Sequence, residues 1–213
     1  MTIRVLLADD HALMREGLRA LLTTVPDIEV VGEVSTGREA ERQVLQLNPD
    51  VVLMDVSMPD LNGIDAARAI HLKFPAIRIV MLSMHATAEY VYRAFEAGAS
   101  GYLLKEVAVE EVITAVRTVH GGGRFLSAAL AEFVPDPAAL GHARSPIDRL
   151  SARERQVLQL VVEGKTSIEI ARMIHLSPSS VQTYRSRLML KLGVSDVPSL
   201  VKFALEHGLT PPD

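Results

Sequence analysis

Five short runs rich in Val, Ile and Leu, at 4–8, 29–33, 51–54, 78–82 and 101–104, alternate with longer amphipathic stretches through the first 120 residues. Strands that read as near-continuous apolar runs are buried on both faces, and parallel strands need a helical crossover between them. Five βα units in this order therefore predict an α/β domain with a doubly wound parallel sheet. Its helices carry their own punctuation. Thr36 with Glu39 reads as a capping box, Asn48-Pro49 ends that helix, and Thr87 is placed to cap AEYVYRAFEA, which stops at Gly98.

The alternation ends after a helix at 110–120, where three glycines at 121–123 break it. Three prolines between 135 and 146, with little periodicity, read as a linker, and FLSAALAEF at 125–133 reads as a short helix inside it. The remainder of the chain is helical throughout by pattern. Ser151 with Glu154 and Thr166 with Glu169 make capping boxes, Ser177-Pro178 supplies a cap and a first-turn proline, and Gly164 and Gly193 close helices. A fourth helix is expected at 197–207. Four short helices in about 60 residues suggest a helix-turn-helix module. The expected organisation is a first domain at 1–121, a linker at 122–147 and a small all-α domain at 148–213.

Hydrophobic residues make up 48% of the 213, enough for two cores, and there is no cysteine, which excludes disulfides, thiolate metal sites and cysteine nucleophiles together. No apolar run approaches the roughly 18 residues that a membrane span needs. The chain enters a strand-like run at once, with no leader pattern, so a cytoplasmic protein is expected, without a membrane partner. Its net charge of −4 is uneven: residues 1–145 hold 13 basic and 19 acidic side chains, residues 146–213 hold 9 and 7. From Arg172 to Ser195 there are four basic residues and no acid. Two domains with different partners fit that asymmetry.

Ligands of an open parallel sheet bind beyond the carboxyl ends of its strands. Asp9 and Asp10 follow the first strand, Asp55 the third, Ser83 the fourth and Lys105 the fifth. Each has a bland reading when taken alone: a cap, a turn residue, a solvated loop lysine. Four strand ends that all carry what one reaction needs point instead to phosphoryl transfer. Three close carboxylates repel unless a cation sits among them, and hard oxygen ligands favour Mg2+. On this reading Asp55 is the nucleophile. Asp10, Asp55 and a backbone carbonyl near Ser57 hold Mg2+, with Asp9 holding it directly or through water. Lys105 and the Ser83 hydroxyl bind phosphoryl oxygens. Tyr102 reads as sheet packing and His11 as a surface or capping residue.

In the last third, a helix from Pro178 to Leu192 puts Val181, Leu188 and Leu192 on one stripe and Gln182, Thr183 and Ser186 opposite, with Arg187 beside them. Short hydrogen-bonding side chains on an exposed recognition helix read base edges in the major groove. Arg185, Arg187 and Lys191, with the Ser179 and Ser180 hydroxyls, are candidate phosphate contacts.

VLLADDH, VVLMDVSMPDLNG, IVMLS and GASGYLLKE together resemble the receiver domain of two-component response regulators. LSARERQVLQLVVEGKTSIEIA and LSPSSVQTYRSRLMLKLGV resemble a LuxR-type DNA-binding domain. Together they are similar to the NarL/FixJ class over nearly the whole chain. The resemblance implies a flavodoxin-like (βα)5 receiver, phosphorylation of Asp55 from a sensor histidine kinase's phosphohistidine, Mg2+ dependence and slow self-dephosphorylation. It also implies a switch in which Ser83 moves toward the phosphate and Tyr102 reorients. Implied partners are double-stranded DNA, a second copy of the chain when phosphorylated, and RNA polymerase; beyond handling its own phosphate, the chain is not expected to be an enzyme.

The DNA-reading half departs from the family pattern. Ser179 stands where a Lys is common, Tyr184 where a His is, so that Tyr184 joins the candidate contacts, and Ser167-Ile168 where Asn-Lys is. Ile168 lies off the stripe of Ile170, Ala171 and Ile174 and is expected to be exposed. Losing two phosphate-binding lysines lowers the salt slope by roughly 0.9 per contact, so weak monomeric binding that depends on dimerisation is expected. Two rivals remain: a phosphatase forming an aspartyl phosphate, which wants a second acid where Ser57 stands, and a receiver that only dimerises.

Overall fold

The computed structural model describes residues 2–106, 109–130, 146–207 and 209. The chain divides into two compact units, Met1–Ala143 and Arg144–Asp213.

In the first unit the strands are β1 (Ile3–Ala8), β2 (Ile28–Val34), β3 (Val51–Asp55), β4 (Arg78–Ser83), β5 (Gly101–Leu104) and β6 (Phe125–Leu126). All pairings are parallel, in the order β2-β1-β3-β4-β5-β6. Between them run α1 (Ala12–Thr23), α2 (Gly37–Leu47), α3 (Gly63–Lys73), α4 (Ala88–Glu96) and α5 (Val109–His120). Alternate side chains of each strand enter opposite cores. Leu6, Ala8, Val52, Met54, Ile79, Met81 and Tyr102 pack under α2, α3 and α4, while Val5, Leu7, Val51, Leu53, Val80, Leu82 and Leu103 pack under α1 and α5. Burial on both faces is why the central strands β3 and β4 read as nearly unbroken apolar runs, whereas the edge strand β2 exposes Glu29 and Glu33.

Caps fix where helices start. Thr36 accepts from the Glu39 N–H, but the Glu39 carboxylate turns to the Ser35 N–H and hydroxyl, so only half of the expected box forms. Thr87 holds the cap position of α4 without a side-chain cap hydrogen bond.

The sheet has a sixth strand that the sequence does not announce. The helix expected at 125–133 is instead a two-residue strand followed by a 3-10 turn at Ala128–Leu130; residues 131–133 and the proline-rich stretch up to 145 lie outside the described residues. The exposed edge of β5 explains the strand: Phe125 N–H donates to Ser100 O and Ser127 N–H to Tyr102 O, both at 3.0 Å. Glu111 of α5 accepts from the Ser127 hydroxyl at 2.7 Å, and Leu130 is fully buried in the core that contains Tyr102. Residues 125–130, expected inside the linker, therefore belong to the sheet and its core.

The second unit opens with a 3-10 turn at Pro146–Arg149, whose Ile147 is buried, followed by α6 (Ala152–Val162), α7 (Ser167–Met173), α8 (Pro178–Leu192) and α9 (Val197–Glu206). Both capping boxes at Ser151 and Thr166 are complete, and Gly193 ends α8 in the left-handed region at φ 69°. Among the described residues no helix is long and apolar enough to cross a membrane.

If residues 125–130 are part of the first unit, Leu130→Ala leaves a cavity in its core and lowers stability by about 2–5 kcal/mol in urea unfolding. A loss below about 0.5 kcal/mol, the level of a surface substitution, would place the segment outside the core.

Candidate functional site

Parallel pairing brings the carboxyl ends of β1, β3, β4 and β5 to one edge. Met54 pairs with Ala8 and Ser83 with Leu104, and the ladder runs on through Val56 N–H to Leu82 O (2.9 Å) and Lys105 N–H to Ser83 O (2.8 Å). Asp55 and Ser83 are themselves the last residues of their strands, one position earlier than the sequence placed them. Asp9, Asp55 and Ser83 are buried.

Lys105 joins the acids. Its Nζ lies 2.8 Å from Asp55 Oδ2 and 2.9 Å from Asp9 Oδ2, with only 5% of the side chain exposed. Asp55 Oδ1 accepts from the Ser57 N–H at 3.1 Å, which fixes the other side of the carboxylate. His11 is the member that sequence reasoning missed. Its Nδ1 stands 3.0 Å from Asp9 Oδ1, 2.9 Å from Asp10 Oδ1, 3.8 Å from Asp55 Oδ2 and 3.4 Å from Lys105 Nζ. The only sequence signal was its place directly after two acids.

Ser83 and Tyr102 meet at one loop. The Ser83 hydroxyl accepts from the His85 N–H at 3.0 Å, and the fully buried Tyr102 hydroxyl donates to the His85 carbonyl at 2.9 Å. Burial pushes the Tyr102 phenol well above its ordinary range, against the nearby Ser83 hydroxyl. Tyr102 therefore stays a neutral donor and ties β5 to the loop after β4.

The acids carry an electrostatic conflict. Burial, and then the charge of Asp9, push Asp55 up to about 7, although Lys105 and the Ser57 N–H oppose this. Burial also works against the Lys105 charge, but Asp55 and Asp9 outweigh it and hold the ammonium above its usual value. One ammonium faces three carboxylates. Donor atoms of Asp9, Asp10, His11 and Asp55 all lie within 4.8 Å of one another. Asp9 Oδ2, Asp10 Oδ1 and Asp55 Oδ2 are buried without a well-formed hydrogen bond, even where Lys105 pairs with them by charge. Hard oxygen donors with spare lone pairs fit a divalent cation such as Mg2+.

In the second unit, Val181 and Leu188 of α8 are buried and Leu192 packs against the same core, while Gln182, Thr183, Ser186, Arg187 and Ser179 are exposed. Three other candidates are tied inside the domain. Tyr184 packs against the helical core, Arg185 Nη1 donates to Ser167 Oγ at 2.8 Å, and Lys191 Nζ pairs with the buried Glu154 at 2.8 Å. Burial alone would raise the Glu154 carboxyl, yet Lys191 and Ser151 hold it below its usual range. Lys191 thus pairs with the same Glu154 carboxylate that closes the Ser151 capping box. Ser180 and Ser179 hydroxyls gather on Ser177 Oγ at 2.8 and 2.9 Å. Ile168 is exposed as expected, at 55%.

Because the fold raises the Asp55 carboxyl, the folded chain binds more protons than the unfolded one over that range. The stability this contributes is fully present below the ordinary carboxylate range and is lost as pH rises through about 7. Asp55→Asn is expected to remove a slope of up to about 1.4 kcal/mol per pH unit from urea-unfolding stability over that window. The variant is then the more stable protein at pH 8. Superimposable pH profiles would mean that Asp55 is not strained.

Residues 5–117 match the response regulator receiver domain, and residues 148–204 match the bacterial regulatory proteins of the luxR family. The transcriptional regulatory protein MctR of Rhizobium johnstonii is 41% identical over 211 residues, covering 97% of this chain and 95% of MctR. A crystal structure of a LuxR-family two-component response regulator from Aurantimonas is 37% identical, with a TM-score of 0.61 over 63% of this chain and 96% of that one. The Salmonella typhimurium RcsB response regulator, solved in a study of conformational dynamism for DNA interaction, is 26% identical, with a TM-score of 0.59 over 96% and 98%. A receiver and a LuxR-type module in one chain, with MctR alike along nearly its whole length, show that this protein belongs to the NarL/FixJ class of two-component response regulators, which act as transcription regulators.

Proposed function

We propose that Asp55 is the phosphoacceptor of this regulator and that a sensor histidine kinase is the donor. The observation that carries this is the buried Asp55 carboxylate held 2.8 Å from Lys105 within a set of acids suited to a divalent cation. An Asp55 oxygen attacks phosphorus, the P–N bond to the kinase imidazole breaks, and the imidazole leaves with a proton. Lys105 neutralises the charge that gathers on the phosphoryl oxygens, and the Ser83 hydroxyl, released from the His85 N–H, donates to one of them. Asp9, Asp10, Asp55 and the Ser57 carbonyl would hold Mg2+, which supplies charge neutralisation at those oxygens. The phosphate is later lost slowly to water. Ser57 stands where an aspartyl-phosphate phosphatase needs its second acid, so turnover of an outside substrate is not proposed.

Ser83 and Tyr102 are proposed as the switch, since both engage the His85 main chain. Phosphorylation then favours a homodimer whose two copies of α8 read paired half-sites on double-stranded DNA, with α9 as the dimer surface of the helical domain. Gln182, Thr183 and Ser186 reach base edges; Arg187, Ser179 and Ser180 contact phosphates, and Tyr184, Arg185 and Lys191 support the helix behind them. The receiver is placed at 1–121 with the β6 segment added, the linker after residue 130, and the DNA-binding domain from 148. A cytoplasmic location and contact with RNA polymerase complete the proposal.

Acetyl phosphate with Mg2+ is expected to add 80 Da to the intact chain, and Asp55→Asn to abolish the adduct. No adduct, or an adduct that survives the substitution, would refute Asp55 as acceptor. For DNA, a shallow salt dependence is expected, with a slope falling by about 0.9 on Arg187→Ala and by much less on Lys191→Ala. Equal losses for the two variants would show that Lys191 leaves Glu154 for phosphate.

A further inference from the structure

The loop leaving Asp55 runs from Val56 to Asn62 and re-enters the fold at α3. Its ends are tied by main chain: Gly63 N–H donates to Val56 O at 2.9 Å, and a Cβ on Gly63 would lie 1.9 Å from the Asp55 carbonyl oxygen. Only glycine lets α3 begin against that carbonyl. In the middle, Leu61 N–H donates to Pro59 O at 2.8 Å across Asp60, whose φ is 67°. A hydrogen bond spanning one residue of positive φ is a γ-turn of the rare, strained kind. A residue other than glycine stays in it only when its surroundings impose it, and such strain gathers at functional sites.

What imposes it comes from α2. Arg38 Nε sits 2.6 Å from Asp60 Oδ2, and Gly37 approaches so closely that a Cβ there would lie 2.3 Å from the Leu61 carbonyl oxygen. α2 is a firm support, since Thr36 caps it and Ala40 and Val44 are locked in the core. The Asp60 side chain is 24% exposed and that of Arg38 43%, so the pair is partly shielded from solvent.

We propose that Arg38 is a positioning residue for Asp55. Its ion pair with Asp60 holds the strained turn, and the turn holds Val56 and Ser57, whose N–H orients the Asp55 carboxylate and whose carbonyl is the proposed metal ligand. Without the pair the turn relaxes toward negative φ, and the loop no longer presents one arrangement to a cation or a donor. The inference rests on Asp55 being the phosphoacceptor.

The test uses the full chain in five forms: unaltered, Arg38→Ala, Arg38→Lys, Asp60→Gly and the Arg38→Ala/Asp60→Gly double variant. The initial rate of the 80 Da adduct with acetyl phosphate is measured beside calorimetric titration with Mg2+ alone. Arg38→Ala is expected to slow the adduct about tenfold and weaken Mg2+ binding, as small misplacements at a reacting group do. Arg38→Lys keeps the charge and recovers most of the loss. Asp60→Gly takes positive φ without strain, so on that background Arg38→Ala changes the rate less than about twofold. A purely structural pair would shift the melting temperature and leave these rates alone. Rate and Mg2+ affinity of Arg38→Ala within twofold of the unaltered chain would overturn the proposal, as would an equal loss on the Asp60→Gly background. If the unaltered chain accepts no phosphoryl group, the reading of Asp55 falls, and the Mg2+ titration still decides the brace: weakened binding by Arg38→Ala supports it, and unchanged binding removes it.

Discussion

The ammonium of Lys105 lies between two buried carboxylates, one of which, Asp55, burial drives toward its neutral form. It bridges Asp9 at the end of β1 and Asp55 at the end of β3 from its own place after β5. One positive charge therefore links three parallel strands at the edge where their side chains converge. It does not cancel the charge present: Asp10 adds a third acid, and burial together with Asp9 still raises Asp55 to about 7. A site left short of positive charge suits a cation, and a cation with hard oxygen ligands is what phosphoryl chemistry uses.

That edge was legible in the sequence because its residues break a strong pattern. Asp55 ends an otherwise unbroken apolar run, and Lys105 and Ser83 do the same for theirs. What stayed hidden depends on contacts distant in the chain or on elements too short to have a period. β6 is two residues long and exists because β5 has a free edge. Glu39 matched a capping box by spacing, yet its carboxylate found Ser35 closer. Lys191 looked like a free basic residue until the fold brought it to Glu154, 37 positions away. His11 read as a cap, and its ring turned out to face the acids because α1 starts beside them.

The helical domain shows the same difference between charge counted and charge available. Of the three basic residues on α8, Arg185 serves Ser167 and Lys191 serves Glu154, which leaves Arg187 with a row of hydroxyl and amide side chains. Such a face supplies more hydrogen-bonding capacity than electrostatic pull. The affinity expected of a single copy is then low, and a device that brought two copies together would have the greatest effect. In the function proposed above the receiver would supply that device, a phosphate on Asp55 favouring one arrangement of Ser83, Tyr102 and the loop at His85.

The charge state of Asp55 itself decides most directly whether the acids and Lys105 form such a site. Carbon-13 NMR of the aspartate carboxyl groups, followed through a pH titration and assigned by Asp55→Asn, reads it without any donor. A carboxyl that titrates near 7 in the absence of metal, and moves well down when Mg2+ is added, is expected. An Asp55 that titrates with the ordinary carboxylates and ignores Mg2+ would show that neither the burial nor the cation site is present.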